Sequence, residues 1–313
     1  RRKMKIQSIQ IQKFRSIDNA NISFKQFLAL VGANNVGKSH VLRALNAFFN
    51  FEDERGYFLN EAHLYSKQSR PKITITFSDI TPEDEVNEEY ICNQQLTIKF
   101  TYRWDRKNPT YEVIVGAERK AIDFDAFKRL IQHFSYVYIP IIRNYDAAFH
   151  SGTGIAYKLL YQVFSQQTAN RNNLQPAADK LIKKVEASVY QPATKRLKQY
   201  YPFSKNQSFV METHHADIID LILRNVTLKL VEDSQENGID NCGSGIQSAV
   251  FFAISLAISM NDQNNYLVGI EEPELNMHPQ AQRQLIEALK EAERYPHTQF
   301  IVTTHSTVII DRL

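Results

Sequence analysis

The sequence predicts an α/β fold in which a mixed sheet carries a phosphate-binding loop, an antiparallel β-subdomain accompanies it, and a helical arm interrupts the chain. Three observations carry this reading. A G-x-x-x-x-G-K-S box stands between an apolar strand and an amphipathic helix. Residues 71–116 alternate apolar and polar side chains, the mark of half-buried strands. Residues from about 155 to 225 are mostly helical in composition and lie between two α/β-like stretches. The expected division is residues 1–143 as the first part of the α/β unit, 144–225 as the inserted arm, and 226–313 as the rest of that unit.

The elements follow in order. Ile9, Ile11, Ile22 and Phe24 alternate with polar neighbours, and Phe27 to Val31 is an apolar run entering a glycine turn, so strands feed a loop. Val41, Leu42, Leu45, Phe48 and Phe49 then recur on one helical face. Ile73, Ile75 and Phe77, and again Leu96, Ile98, Phe100 and Tyr102, alternate with Thr and Lys as in a meander. Tyr136 to Pro140 reads as a buried strand. After the arm come an alternating strand at Val226 to Val231, a polar loop from Asp233 to Gly245, and an apolar helix from Ala249 to Ile258. Strand Tyr266 to Ile270, a helix with Leu285, Ile286 and Leu289, and strand Phe300 to Val302 form a strand-helix-strand unit of the parallel-sheet kind.

Composition narrows the function classes. The 313 residues are 43% hydrophobic and 23% charged, enough apolar residues for at least one full core. No run approaches the roughly 18 uninterrupted apolar residues of a membrane helix, and the N-terminus lacks the apolar centre of a signal peptide. A cytoplasmic protein without a membrane partner is therefore expected. Cys92 and Cys242 lie far apart with no C-x-x-C spacing, which excludes a disulfide scaffold and a cysteine-rich zinc site. Lys plus Arg number 37 against 34 Asp plus Glu, and the excess equals Arg1, Arg2 and Lys3. Net charge thus gives no argument for nucleic-acid binding.

The chemistry concentrates in three segments. In Gly32-Ala33-Asn34-Asn35-Val36-Gly37-Lys38-Ser39, the backbone N–H groups around Gly32, Asn34, Asn35 and Gly37 can curl round phosphates at a helix N-terminus. Lys38 can reach the β- and γ-phosphates and Ser39 can ligate Mg²⁺. Glu271 and Glu272 close a buried strand, where two adjacent anions are costly unless a cation or a reacting water uses them. Strand ends of an open parallel sheet gather ligands at one edge, so Glu271 is expected to hold Mg²⁺ and Glu272 to orient the attacking water. A solvated acidic helix start is the plainer reading of such a pair, and the nearby phosphate loop weighs against it. His305, after the apolar strand Phe300 to Val302, arrives at the same edge, positioned to hydrogen-bond a γ-phosphate and the water.

The order of phosphate loop, Gly243-Ser244-Gly245-Ile246-Gln247, Glu271-Glu272-Pro273-Glu274, Leu275-Asn276-Met277-His278-Pro279 and Thr304-His305-Ser306 resembles the ABC-type ATPase heads of the SMC/RecF group. With Lys13-Phe14-Arg15-Ser16 at the start, it is most similar to the OLD (overcoming lysogenization defect) family, from Lys5 to the C-terminus except the arm. The resemblance implies ATP and Mg²⁺ as cofactors, Lys38, Ser39 and Glu271 as nucleotide and metal ligands, Glu272 as the catalytic glutamate and His305 as the switch histidine. It makes Ser244 and Gly245 signature residues completing a partner's site, Glu274 to His278 the D-loop, and Arg15 a neighbour of the nucleotide. It implies a homodimer, joined through the arm, whose heads sandwich two ATP. DNA binding, a TOPRIM nuclease domain or a nuclease subunit, and a role in anti-phage defence come with it. Two departures stand out: Gly243 to Gln247 replaces the transporter-type L-S-G-G-Q, and no Q-loop glutamine is placed beyond the candidate segment Ile141 to Asp146. A RecF/SMC-type repair ATPase and a slowly hydrolysing scaffold for a partner protein remain open.

Other constellations read as structural. Asp123-Phe124-Asp125 has the D-x-D spacing of a metal site but precedes a helix, so capping is expected. His214, His215 and Asp217 read as a polar helix entry, and Cys242 as a small residue beside the signature. Only 313 − 305 = 8 residues follow His305, so the nuclease is expected beyond Leu313.

Overall fold

The computed structural model describes residues 4–33, 36–141, 155–166, 168–200, 218–232, 235–259, 264–275, 282–283, 286–287, 289–290 and 296–306. The chain forms two compact units, Arg1–Arg143 with Gly243–Leu313, and Asn144–Cys242.

The first unit holds two sheets. Strands β1 (Lys5–Phe14) and β2 (Ile17–Ser23) precede β3 (Phe27–Val31), which joins the second sheet. The first sheet continues with β4 (Lys72–Ser78), β5 (Ile91–Cys92), β6 (Gln95–Thr101), β7 (Thr110–Val115) and β8 (Glu118–Ile122). Its order is β2-β1-β4-β6-β7-β8, all antiparallel, with β5 on β6. The expected alternation is met: Ile73, Ile75, Phe77, Leu96, Ile98 and Phe100 are fully buried, and Ile75 registers against both Ile9 and Ile98. Thr74, Thr76, Thr97 and Lys99 fall on the other, half-exposed face, as a period of two requires.

The second sheet adds β9 (Phe134–Ile139), β12 (Asn265–Glu271) and β13 (Thr298–Thr304), in the order β3-β13-β12-β9. Every pairing in it is parallel, where the sequence predicts a mixed sheet. The antiparallel strands that flank the phosphate loop in sequence have one apolar face each, and they find its complement in β4 rather than in β3. All residues of β12 and β13 are buried, the continuous burial of strands covered on both faces.

Helix α1 (Lys38–Phe49) lies between the sheets, touching β9, β12 and β13 of one and β1 and β4 of the other. Leu42, Ala44, Leu45, Ala47 and Phe48 are fully buried, each large side chain contributing about 1.5–3 kcal/mol of transfer free energy. Phe49 stacks on Phe134 at 5.5 Å between centroids and meets Phe77 edge-on at 6.3 Å, so one residue packs against both sheets. Gln299 on β13 stitches them further. Its Oε1 accepts from Ile6 N at 2.7 Å and its Nε2 donates to Ile6 O at 2.9 Å, where the β1–β4 register shifts and backbone groups need partners.

The second unit contains α-helices Ile155–Gln166, Thr168–Val185, Gln191–Tyr200 and Ile218–Arg224. It extends to Cys242 rather than stopping near residue 225. The strand expected at Val226 to Val231 is instead β10 (Lys229–Glu232), paired in an exposed hairpin with β11 (Gln235–Gly238) inside the stretch expected to be loop. Its alternation is real, and Val231 is 64% exposed. Among the described residues no helix is long and apolar enough to cross a membrane.

Candidate active site

Parallel pairing aligns the carboxyl ends of four strands. Thr304 registers with Val31, Glu271 with Thr303, and Ile270 with Ile139. The phosphate loop, the His305 turn, the two glutamates and Pro140-Ile141 therefore leave the sheet along one edge, the arrangement in which open α/β sheets place ligands.

The phosphate loop enters α1 through Gly37, whose φ of 98° is left-handed and whose absent Cβ leaves room for Ser16 Oγ, 3.2 Å from where that atom would stand. Lys38 is the first residue of α1. Its Nζ donates to Gly32 O at 2.9 Å and to Ala33 O at 2.8 Å, and it lies 2.9 Å from His305 Nε2. Glu272 is held at φ 40°, with its N–H donating to Thr303 O at 2.9 Å, and its Oε1 sits 3.3 Å from the same His305 nitrogen. Three residues that the sequence assigns to catalysis thus meet around one imidazole. A single Nε2 can accept from Lys38 or donate to Glu272, not both, so drawing Lys38 onto a phosphate frees that nitrogen to donate.

Glu271 has a different environment. It is 7% exposed, its Oε2 accepts from Ile141 N at 3.2 Å, and its Oε1 is buried without a hydrogen-bond partner among the described residues. A buried acceptor left unpaired costs about 1–3 kcal/mol, and a carboxylate oxygen in that state fits a divalent cation shared with the half-buried Ser39 hydroxyl one residue into α1.

Behind α1 lies a polar cluster that the sequence reading missed. Glu54, from α2 (Phe51–Leu59), is 2% exposed and accepts from Asn46 at 2.8 Å, pairs with Arg43 at 3.3 Å, and shares a 2.6 Å contact with the fully buried His63. These partners hold the Glu54 carboxyl below its usual range despite burial. Arg43 also lies over the Tyr57 ring at 4.9 Å, and the Tyr138 phenol is pushed up by burial and the neighbouring Glu271. Arg15, at φ 51°, donates its N–H to His63 O at 3.1 Å, and burial together with Arg43 lowers its pKa. His40, 2.6 Å from Ser16 Oγ, is pushed down to about 4 by burial and by Arg15 and Arg43. The one sequence signal for this cluster is Asn46, a polar residue on the otherwise apolar face of α1.

A shallow hollow lined by Ser16, Asn19, Ala29, Val31, Val36 and Lys38 adjoins the phosphate loop. Ser244 and Gly245 open the helix Ser244–Ser259, an element separate from the Lys38, His305 and Glu272 group. Asp123 caps helix α3 (Phe124–Leu130), accepting from Ala126 N at 2.6 Å, and Asp125 lies in its first turn. Among the described residues no group of three His, Cys, Asp or Glu is placed to hold a metal. Asn34, Asn35, His214, His215, Asp217, residues 142–146 of the Q-loop candidate and residues 276–278 of the D-loop lie outside the described residues.

The chain is 24% identical to the OLD nuclease of Thermus scotoductus (strain ATCC 700910 / SA-01) over 98% of its own length and 60% of the relative's. It is 22% identical to the Old nuclease of Escherichia phage P2, over 98% and 57%. The chain therefore spans about 60% of the length of the curated relatives it matches. The crystal structure of an SMC head bound to the C-winged helix domain of ScpA superposes with a TM-score of 0.63 at 13% identity, covering 98% of this chain and 91% of the other. The expected likeness to OLD-family ABC-type ATPases is thus found in both sequence and fold. Residues 27–311 match the family model described as "AAA domain, putative AbiEii toxin, Type IV TA system", and the chain belongs to that family of ATPase domains.

Proposed function

We propose that the chain is a Mg²⁺-dependent ATPase head that regulates a nuclease, on the same polypeptide or on a partner, in bacterial anti-phage defence. The observation that carries the ATPase part is the meeting of Lys38, His305 and Glu272 at the carboxyl edge of the parallel sheet. The loop amides around Gly32 and Gly37 bind phosphate, and Lys38 exchanges its two loop carbonyls for β- and γ-phosphate oxygens. Ser39 and Glu271 hold Mg²⁺, which when bound offsets charge on the transferring phosphoryl group. Glu272 orients the attacking water and takes its proton, and His305 steadies both water and γ-phosphate. Arg15 lies beside the nucleotide. A water-attack step of this kind yields ADP and phosphate.

The test is a pair of variants. Lys38→Ala is expected to abolish ATP binding, while Glu272→Gln keeps binding and loses at least about 100-fold in turnover, the usual contribution of a general base. Turnover at the wild-type rate in Glu272→Gln would pass the role to another acid.

Ser244 and Gly245 act in this proposal on the partner's phosphate, so the active form is a homodimer joined through the arm with two ATP between the heads. Sedimentation at saturating ATP and Mg²⁺ checks it, and a strict monomer under those conditions ends the sandwich. DNA is the proposed substrate of the associated nuclease. Support for that part is the likeness to proteins named as nucleases. RecF/SMC-type repair is the second reading, favoured by the SMC-head fold. Plasmid cleavage by a longer product carrying this segment separates the two.

A further inference from the structure

Strand β13 ends at Thr304, and the residues that follow leave the ladder, so their N–H groups need new acceptors. They find one atom. Glu274 Oε1 accepts from His305 N at 2.7 Å, from Ser306 N at 3.1 Å and from Thr304 Oγ1 at 2.7 Å. A single carboxylate oxygen thus grips three consecutive residues, the middle one being the histidine that contacts Lys38 and Glu272. Glu274 itself stands two residues after Glu272, in a turn closed by Leu275 N donating to Glu272 O at 2.9 Å. Gln282 fastens the same junction: its Nε2 donates to Glu274 O at 3.4 Å and its Oε1 accepts from Ser306 Oγ at 3.1 Å.

We propose that Glu274 is the positioning residue of His305, holding the backbone on both sides of the imidazole so that its Nε2 stays within reach of either Lys38 or Glu272. Two consecutive N–H donors aimed at one anionic acceptor form a strong, short-range clamp. The clamp also joins the turn after β12 to the turn after β13, so a displacement of Glu274 is passed to His305 without passing through Glu272. Glu274 Oε2 is buried and has no hydrogen-bond partner among the described residues. The carboxyl group is therefore aimed at the His305 turn rather than at solvent. This role rests on the ATPase reading above.

The experiment compares E274A, E274Q, H305A and the double variant E274A/H305A in the full chain, reading ATP turnover, fluorescent ATP-analogue binding and backbone amide exchange. E274A is expected to lower kcat by roughly 10- to 100-fold, the scale of a small misplacement of a reacting group, with KM and nucleotide binding within about twofold. E274Q keeps a carbonyl oxygen for the same three donors and should retain most of the rate. In the H305A background E274A should cost little more, because it acts through the histidine. Amides of His305 and Ser306 should exchange faster in E274A and stay protected in E274Q. Full turnover in E274A, an equal further loss in the H305A background, or an E274Q as slow as E274A would each overturn the proposal. If E274A does not fold, E274Q decides: retained rate and amide protection support the role, loss of either removes it. A wild-type protein that binds ATP and never hydrolyses it would sink the ATPase reading and this role with it, a result distinct from wild-type turnover that E274A leaves intact.

Discussion

The two sheets of the head are built from similar residues and do different work. The antiparallel sheet buries every second residue and keeps Thr, Gln and Lys on its other face. The parallel sheet buries every residue of β12 and β13, on both faces. Antiparallel neighbours send their ends in opposite directions, so their loops scatter. Parallel neighbours send all carboxyl ends one way, and four loops are forced together. Lys38, Glu272 and His305 meet at that edge. One sheet supplies stability, the other a site.

Core substitutions in the two sheets should therefore separate stability from chemistry. Ile75→Ala, at a fully buried position between Ile9 and Ile98, is expected to cost about 2–5 kcal/mol. Nucleotide affinity per folded molecule should stay unchanged. Gly269→Ala in β12 places a methyl group 2.1 Å from Tyr136 Oη, which donates to Leu42 O of α1 at 3.0 Å. Overpacking there should cost about 1–3 kcal/mol. Because the displaced ring bears on the phosphate-loop helix, it should slow turnover as well. Urea unfolding gives the first quantity and ATP binding and hydrolysis the second. A Gly269→Ala protein with normal kinetics, or an Ile75→Ala protein whose folded fraction binds ATP poorly, breaks the division.

The smallest effect expected is on α1, the element shared by both sheets. Folded His40 is pushed down to about 4 by burial and by Arg15 and Arg43, below the ordinary imidazole value of about 6.5. The unfolded chain therefore binds the extra proton between those values and the folded one does not. Stability is complete above about pH 6.5 and falls as pH drops toward 4. His63, also shifted down by burial, adds in the same direction. Melting temperatures of wild type and His40→Gln across pH 4–7.5 should show a shallower acid decline in the variant. Equal slopes would clear His40.

Local patterns made most of this legible in the sequence. Alternation at Ile73 to Phe77, the continuous run Tyr266 to Ile270 and the helical period of Leu42, Leu45 and Phe49 each report one element's own burial. The shared edge of Lys38, Glu272 and His305 was legible because strand ends of a parallel sheet converge before any distance is known. Partner choice was less legible. Nothing in β1 says that it pairs with β4 instead of extending the sheet of β3, since one apolar face serves either neighbour. The hairpin Lys229–Gly238 alternates like a core strand, and alternation does not say what covers it. Glu54 and His63 were invisible for a third reason: each is an ordinary polar residue until the α1–α2 packing closes over both.

The order β3-β13-β12-β9 has a consequence in time. The two central strands of this sheet are the last to be synthesised, while the outer strands are made much earlier. From Val31 to Thr298 the ribosome must add 298 − 31 = 267 residues, roughly 13–53 s at about 5–20 residues per second. Throughout that interval β3 and β9 lack the strands that will lie between them, and the phosphate loop has neither glutamate nor histidine facing it. The edge at which Lys38, Glu272 and His305 meet is thus completed only after β13 has been made.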